Sequence, residues 1–200
     1  ILAISAIIIQ VVLNLFFMPV MLIAYILVTG YMYWMTNEFF AKEWLNKHPI
    51  IYMLSHMMVM PLIDFYTTGL DWLNEGANPP KNLVFFLIVT FLNGIVIEIG
   101  RKIRSKKAEE PGVETYSSMF GPVKAILIWL FVLILTFLFA LKAIKVIGVG
   151  IIGIIALSSL LLATGLIPAY LFIRNRDQSS AELIGGGSGL WTIGMYLILG

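Results

Sequence analysis

Three residues in this 200-residue sequence have types and spacing that suggest chemistry: Glu98, Arg101 and Lys102. On a helix, positions i, i+3 and i+4 share one face, so the carboxylate and both cations meet. Such a carboxylate can hold a divalent cation while its basic neighbours take a phosphate. It can equally be a local ion pair at a helix exit. His56 and Asp64, in LSHMMVMPLIDFY, form a second candidate group. Eight helical residues turn about 800° and rise about 12 Å, so both side chains can look into one cavity without touching. The plainer reading makes His56 an interior histidine bonded to a neighbouring helix, and leaves Asp64 solvated near an interface. Asn93 is a candidate cavity-lining residue, although Asn93 and Asn14 read most simply as interhelical hydrogen bonders. Met53, Met57, Met58 and Met60 read as adaptable packing. The absence of Cys excludes disulfides and Cys-based catalysis, and no Ser-His-Asp order, HExxH pair or Walker motif occurs.

The elements that must position these residues are apolar helices. The chain is 60% hydrophobic and 12% charged, with a mean hydropathy of +0.96. A water-soluble globule of this size needs more polar surface than that, and runs of about 20 apolar residues can cross a bilayer core. The expected fold is an all-α, polytopic transmembrane bundle forming one domain over 1–200, truncated at both ends. Ile1 opens inside a hydrophobic run, and the last apolar stretch, GLWTIGMYLILG, stops after 12 residues. Helices are expected at 1–17, 20–36, 50–70, 82–100, 122–141 and 146–173, with a seventh beginning near 189. Segment 36–49 is amphipathic and interfacial, 101–118 is a charged connection, Lys142 to Lys145 form a short turn, and 174–189, with its GGGSG, is a flexible loop. Gly148, Gly150 and Gly153 are expected to permit close helix packing.

Alternation of loops places 36–49, 101–124 and 174–189 on one membrane side. These segments carry ten of the 13 basic residues, which makes that side cytoplasmic by the positive-inside rule. The net charge of +2 gives no support for nucleic-acid binding.

Segment 93–121, NGIVIEIGRKIRSKKAEEPGVETYSSMFG, resembles the second motif region of the UbiA superfamily of intramembrane prenyltransferases. In that family an acid-bearing helix end leads through a charged cytoplasmic loop into a G-x-x-[TS]-x-x-x-x-x-G segment. Gly112, Thr115 and Gly121 match its spacing, Glu98 stands at the helix-end acid, and Glu109 and Glu110 precede Gly112. Segment 38–66 is similar to a UbiA-related subgroup. The resemblance implies a nine-helix bundle of which about seven helices are present here, with cytoplasmic cap loops at about 36–49 and 101–121. The first aspartate-rich motif is absent from these residues, and RKIR follows Glu98 where the family often has another carboxylate. The implied activity is transfer of an isoprenyl chain from a prenyl diphosphate to an aromatic or lipid acceptor among membrane lipids. Glu98 would be catalytic and would hold Mg²⁺ with Glu109 and Glu110, while Arg101, Lys102 and Arg104 would bind the diphosphate. A catalytically silent multi-pass protein or a transporter is the alternative.

Overall fold

In a computed structural model the chain is described over residues 2–73 and 75–199, and every regular element among them is helical. Ile1, which opens the first expected helix, and Gly200, which ends the last, lie outside the described residues. Two compact units are present, Ile1–Lys81 and Asn82–Gly200.

The first unit contains α1 (Leu2–Phe17), α2 (Pro19–Thr36), α3 (Lys42–Asn46), α4 (Pro49–Met57) and α5 (Val59–Trp72). Pro19 and Pro49 open their helices, where a missing N–H costs nothing. Met21 and Val28 of α2 pack against Tyr66 of α5. The Tyr66 hydroxyl accepts hydrogen bonds from Asn14 Nδ2 (2.8 Å) and Gln10 Nε2 (2.5 Å), so Asn14 does join two helices. The expected helix over 50–70 is interrupted at Met58, and His56 and Asp64 therefore sit on different helices, α4 and α5. Between α2 and α3 the chain makes a tight turn at Glu38–Phe40.

The second unit contains α6 (Leu83–Arg101), the short α7 (Tyr116–Phe120), α8 (Pro122–Ile147), α9 (Gly150–Leu161), α10 (Ile167–Asn175) and α11 (Gln178–Leu199). A π-helical turn at Leu162–Leu166 joins α9 to α10 as one rod. The most buried span is α6, packed between α8 and α11. Trp129 of α8, fully buried, donates its Nε1–H to Val96 O of α6 (3.1 Å) and Ser188 Oγ of α11 (3.0 Å). Trp191 of α11 donates to Asn93 Oδ1 of α6 (3.0 Å). A buried indole N–H needs an acceptor, and here each need ties two helices together.

Five described helical stretches are long and apolar enough to cross a membrane: Pro19–Thr36, Pro49–Trp72 (α4 and α5 together), Leu83–Arg101, Pro122–Lys145 and the Gly150–Asn175 rod. The chain is accordingly a multi-pass membrane protein in its helical architecture, with α1 shorter than these spans. Three local expectations are corrected. Lys142 and Lys145 lie within α8, which runs on to Ile147 and ends at left-handed Gly148. Gly148 and Gly150 have positive φ, so they turn the chain between helices instead of lining a packing face. The supposed flexible loop 174–189 is mostly helix, since α10 reaches Asn175 and α11 starts at Gln178. Asp177 caps α11 by accepting from the Ser180 amide (2.9 Å), and hydrogen bonds from Ser180 hold its carboxyl below the usual range.

The GGGSG run is therefore a packing face. A Cβ on Gly187 would collide with the backbone carbonyl of Thr164 in the π-helical turn, whereas one on Gly186 meets open space. Gly187→Ala should destabilise the second unit by about 1–3 kcal/mol. Gly186→Ala should be neutral or stabilising by about 0.5–1 kcal/mol, because an exposed helical glycine only adds backbone entropy to the unfolded chain. Unfolding of both variants in detergent micelles checks the contrast, and equal effects would mean that α11 does not pack on this face.

Candidate functional site

The cytoplasmic-facing expectation for 101–121 centres on the C-terminal end of α6. Glu98 is 5% exposed there, at the end of a helix whose other face is packed by α8 and α11. Its Oε2 receives Arg101 Nε (2.6 Å) and Nη2 (2.5 Å), and its Oε1 receives Lys102 Nζ (2.7 Å). The i, i+3, i+4 spacing thus produces the geometry expected of it. A carboxylate this enclosed needs compensation for lost water, and two cations provide it. Lys102 Nζ also lies 5.9 Å from the ring centre of Tyr116. Burial, followed by the Glu98 carboxylate, pushes the Tyr116 phenol up to about 12, so it stays protonated at neutral pH.

The loop after α6 is tied back over that helix end. Tyr116 N donates to Lys102 O (3.1 Å), and Arg104 N donates to Ser117 Oγ (2.9 Å). The Gly112, Thr115, Gly121 pattern has a local explanation. Gly112 and Gly121 have φ of 82° and 83°, conformations that side chains disfavour. Thr115 caps α7: its Oγ1 accepts from Ser118 N (3.0 Å), while Ser118 Oγ accepts from Thr115 N. The Thr115 hydroxyl also donates to the Glu109 carboxylate (2.7 Å). The nearby Glu110 pairs with Arg104 Nη1 at 3.0 Å.

These pairings separate the residues that the sequence had grouped. Glu98, Glu109 and Glu110 are each engaged by a different partner, and no group of three His, Asp or Glu side chains suited to a metal occurs among the described residues. Glu98 is held by Arg101 and Lys102, Glu109 by Thr115 and Glu110 by Arg104. Arg101 and Arg104 instead line a cleft of about 370 Å³ with Gln178 and Glu182 of α11 and the backbone of Gly100 and Gly185. Gln178 Oε1 accepts from Ser105 N (3.4 Å). Gln178 and Glu182 were missed as site residues because 174–189 read as a loop; the Asp177-x-x-Ser180 cap before AELI was the signal for a helix there.

The remaining candidates have different surroundings. Asn93, 1% exposed, is committed to Trp191 as an interhelical bond. Asp64 is partly buried on α5, and its backbone carbonyl accepts from Thr68 Oγ1 (2.7 Å). His56 turns towards Glu38 and Tyr52. Its ring stacks on Tyr52 at 4.1 Å and meets Phe39 edge-on at 5.7 Å, and Nε2 lies 3.5 Å from Glu38 Oε2. Glu38, Phe39 and Phe40 all have φ between 51° and 56°. A left-handed conformation costs a non-glycine residue roughly 1–2 kcal/mol, so contacts must hold this turn in place. In the sequence Glu38 reads only as part of the amphipathic 36–49 segment, because its partner His56 is 18 positions away.

Thr115 gives this geometry a direct test. Thr115→Val keeps the shape but removes the cap and the bond to Glu109, which should cost about 1–2 kcal/mol of stability and expose the 105–115 loop to protease. Thr115→Ser should retain most of both properties. A valine variant with parental stability and protease resistance would show that the cap does not order this loop.

No family model, curated protein or solved structure matches this chain.

Proposed function

We propose that this chain forms part of a UbiA-like intramembrane prenyltransferase that moves an isoprenyl group from a prenyl diphosphate to an aromatic or lipid acceptor at the cytoplasmic membrane face. The observation that carries this reading is the join at the end of α6. An apolar span finishes in Glu98, Arg101 and Lys102, beside a cleft lined by Arg101 and Arg104. A prenyl diphosphate has the matching division, with a tail that partitions into hydrocarbon and an anionic head that needs cations. The basic bias of segments 36–49 and 101–121 supports a cytoplasmic position for that end.

In this reading Arg101, Lys102 and Arg104 receive the diphosphate, and their charge is most valuable as the allylic C–O bond breaks and negative charge grows on the leaving group. Glu98 fixes the directions of Arg101 and Lys102 through its two oxygens. The acceptor then attacks the allylic carbon and loses a proton. The closed pairing of Glu98 also favours a second reading, a catalytically silent or transport protein in which this cluster only stabilises a helix end.

The test is transfer of a labelled prenyl diphosphate to a panel of phenolic and lipid acceptors by the full-length protein in membranes, with and without Mg²⁺. Arg101→Gln should lower kcat/KM by about 10²–10³, the usual effect of one lost contact to developing charge. Glu98→Gln should also slow transfer, by releasing Arg101 and Lys102. Full activity in a folded Glu98→Gln variant would leave Glu98 only structural, and no binding or consumption of any prenyl diphosphate by the parent would support the second reading. Cysteine at exposed Lys107 should be labelled from the cytoplasmic side and cysteine at exposed Asn78 from the other. Labelling of both from one side would overturn the orientation.

A further inference from the structure

The first unit holds an acid–histidine pair that the prenyl-transfer reading does not use. His56 Nδ1 lies 2.9 Å from the backbone carbonyl of Tyr52, an acceptor without a proton, so Nδ1 must carry the hydrogen. In neutral His56 the Nε2 atom then presents a lone pair. It faces Glu38 Oε2 at 3.5 Å, and that buried oxygen has no hydrogen-bond partner among the described residues. The other oxygen, Oε1, accepts from the Tyr52 hydroxyl (3.0 Å). A lone pair therefore confronts a desolvated carboxylate oxygen unless a proton lies between them.

Among the described residues, the neighbours of the pair supply no substitute for that proton. From α4, Tyr52 already donates to Oε1, and Ser55 Oγ donates to Tyr52 O (2.9 Å) while lying 3.4 Å from His56 Nδ1. From α2, the Tyr31 hydroxyl donates to Ser55 O (2.5 Å). Phe39 closes the edge of the His56 ring. Among the described residues, the ion pair of Glu38 is with His56. The same carboxylate belongs to the left-handed turn at 38–40, which relaxes if nothing holds it.

We propose that one proton shared by Glu38 and His56 clasps the 38–40 turn onto α4, and that its loss as pH rises releases the turn. The pair is thus a proton-binding site that sets the conformation of the amphipathic 36–49 segment. Protonated, the two groups form a charge-assisted hydrogen bond; deprotonated, two acceptors oppose each other and the turn opens.

The cysteine-free sequence allows a direct reading of this motion. A nitroxide is attached at Lys42→Cys, an exposed position just beyond the turn, in the full-length protein in lipid nanodiscs. Electron paramagnetic resonance spectra are recorded from pH 5 to pH 9. The mobile component should grow with pH, with the opening equilibrium changing by about tenfold or more for the loss of one charge-assisted bond. Glu38→Gln and His56→Gln each replace the shared proton by an amide N–H donor, so both should remain closed without a pH response. Glu38→Ala should be mobile throughout. A pH-independent parent, a parental pH response kept in either glutamine variant, or a closed Glu38→Ala variant would overturn the proposal.

Discussion

Everything at the charged end of the second unit depends on α6 being held in one rotation and at one height. Two buried tryptophans hold it. Trp129 reaches from α8 to the Val96 carbonyl, and Trp191 reaches from α11 to Asn93, so α6 is fastened to both neighbours along its length. Apolar packing between membrane helices permits sliding, because one aliphatic surface resembles another; directional bonds to buried donors do not. Gly100 completes the arrangement. Its missing side chain admits Ser188 and the Trp129 indole, and a Cβ there would collide with Ser188. The close approach of α11 at Gly100 also brings Gln178 and Glu182 opposite Arg101 and Arg104, and so forms the cleft.

Because the rotation of α6 is fixed, the burial of Glu98 is fixed too, and this decides what its charge can do. An enclosed carboxylate with a single cation would leave one oxygen unsatisfied; Arg101 and Lys102 take one oxygen each. Removing either partner is therefore more consequential than the loss of a surface ion pair, which is screened by water. The cluster retains one positive charge in excess, and Arg101 and Lys102 stand on the solvent side of Glu98, with side-chain exposures of 63% and 37%. An anion approaching this helix end meets cations first. The carboxylate acts behind them as a support.

Much of this end was legible in the sequence because its determinants are local. Glu98, Arg101 and Lys102 lie within one helical turn, and Gly112, Thr115 and Gly121 lie within one loop, so spacing alone constrains what they can form. The all-helical, multi-pass character followed similarly from runs of apolar residues. What escaped was set by partners far along the chain or by competition between local signals. GGGSG has the composition of a linker, yet the Asp177 cap and the contact of Gly187 with Thr164 hold it in a helix. Glycine's low helix propensity is outweighed there by the closeness of approach that only glycine allows. Glu38 gave no signal for the converse reason: nothing nearby in the sequence shows that a left-handed turn will carry it to His56.

That turn also shows how strain and an unsatisfied group can support each other in one small region. A relaxed backbone at 38–40 would point the Glu38 carboxylate elsewhere, and an unprotonated pair would give it no reason to remain. Tyr52 links the two conditions, because its hydroxyl holds one carboxylate oxygen while its backbone carbonyl fixes the hydrogen on His56 Nδ1. One residue thereby directs the free Nε2 of His56 and the free oxygen of Glu38 towards each other. Had the imidazole hydrogen been on Nε2, a neutral histidine could have satisfied Glu38 unaided, and proton uptake would add little. With the hydrogen held on Nδ1, a further proton is what joins the turn to α4.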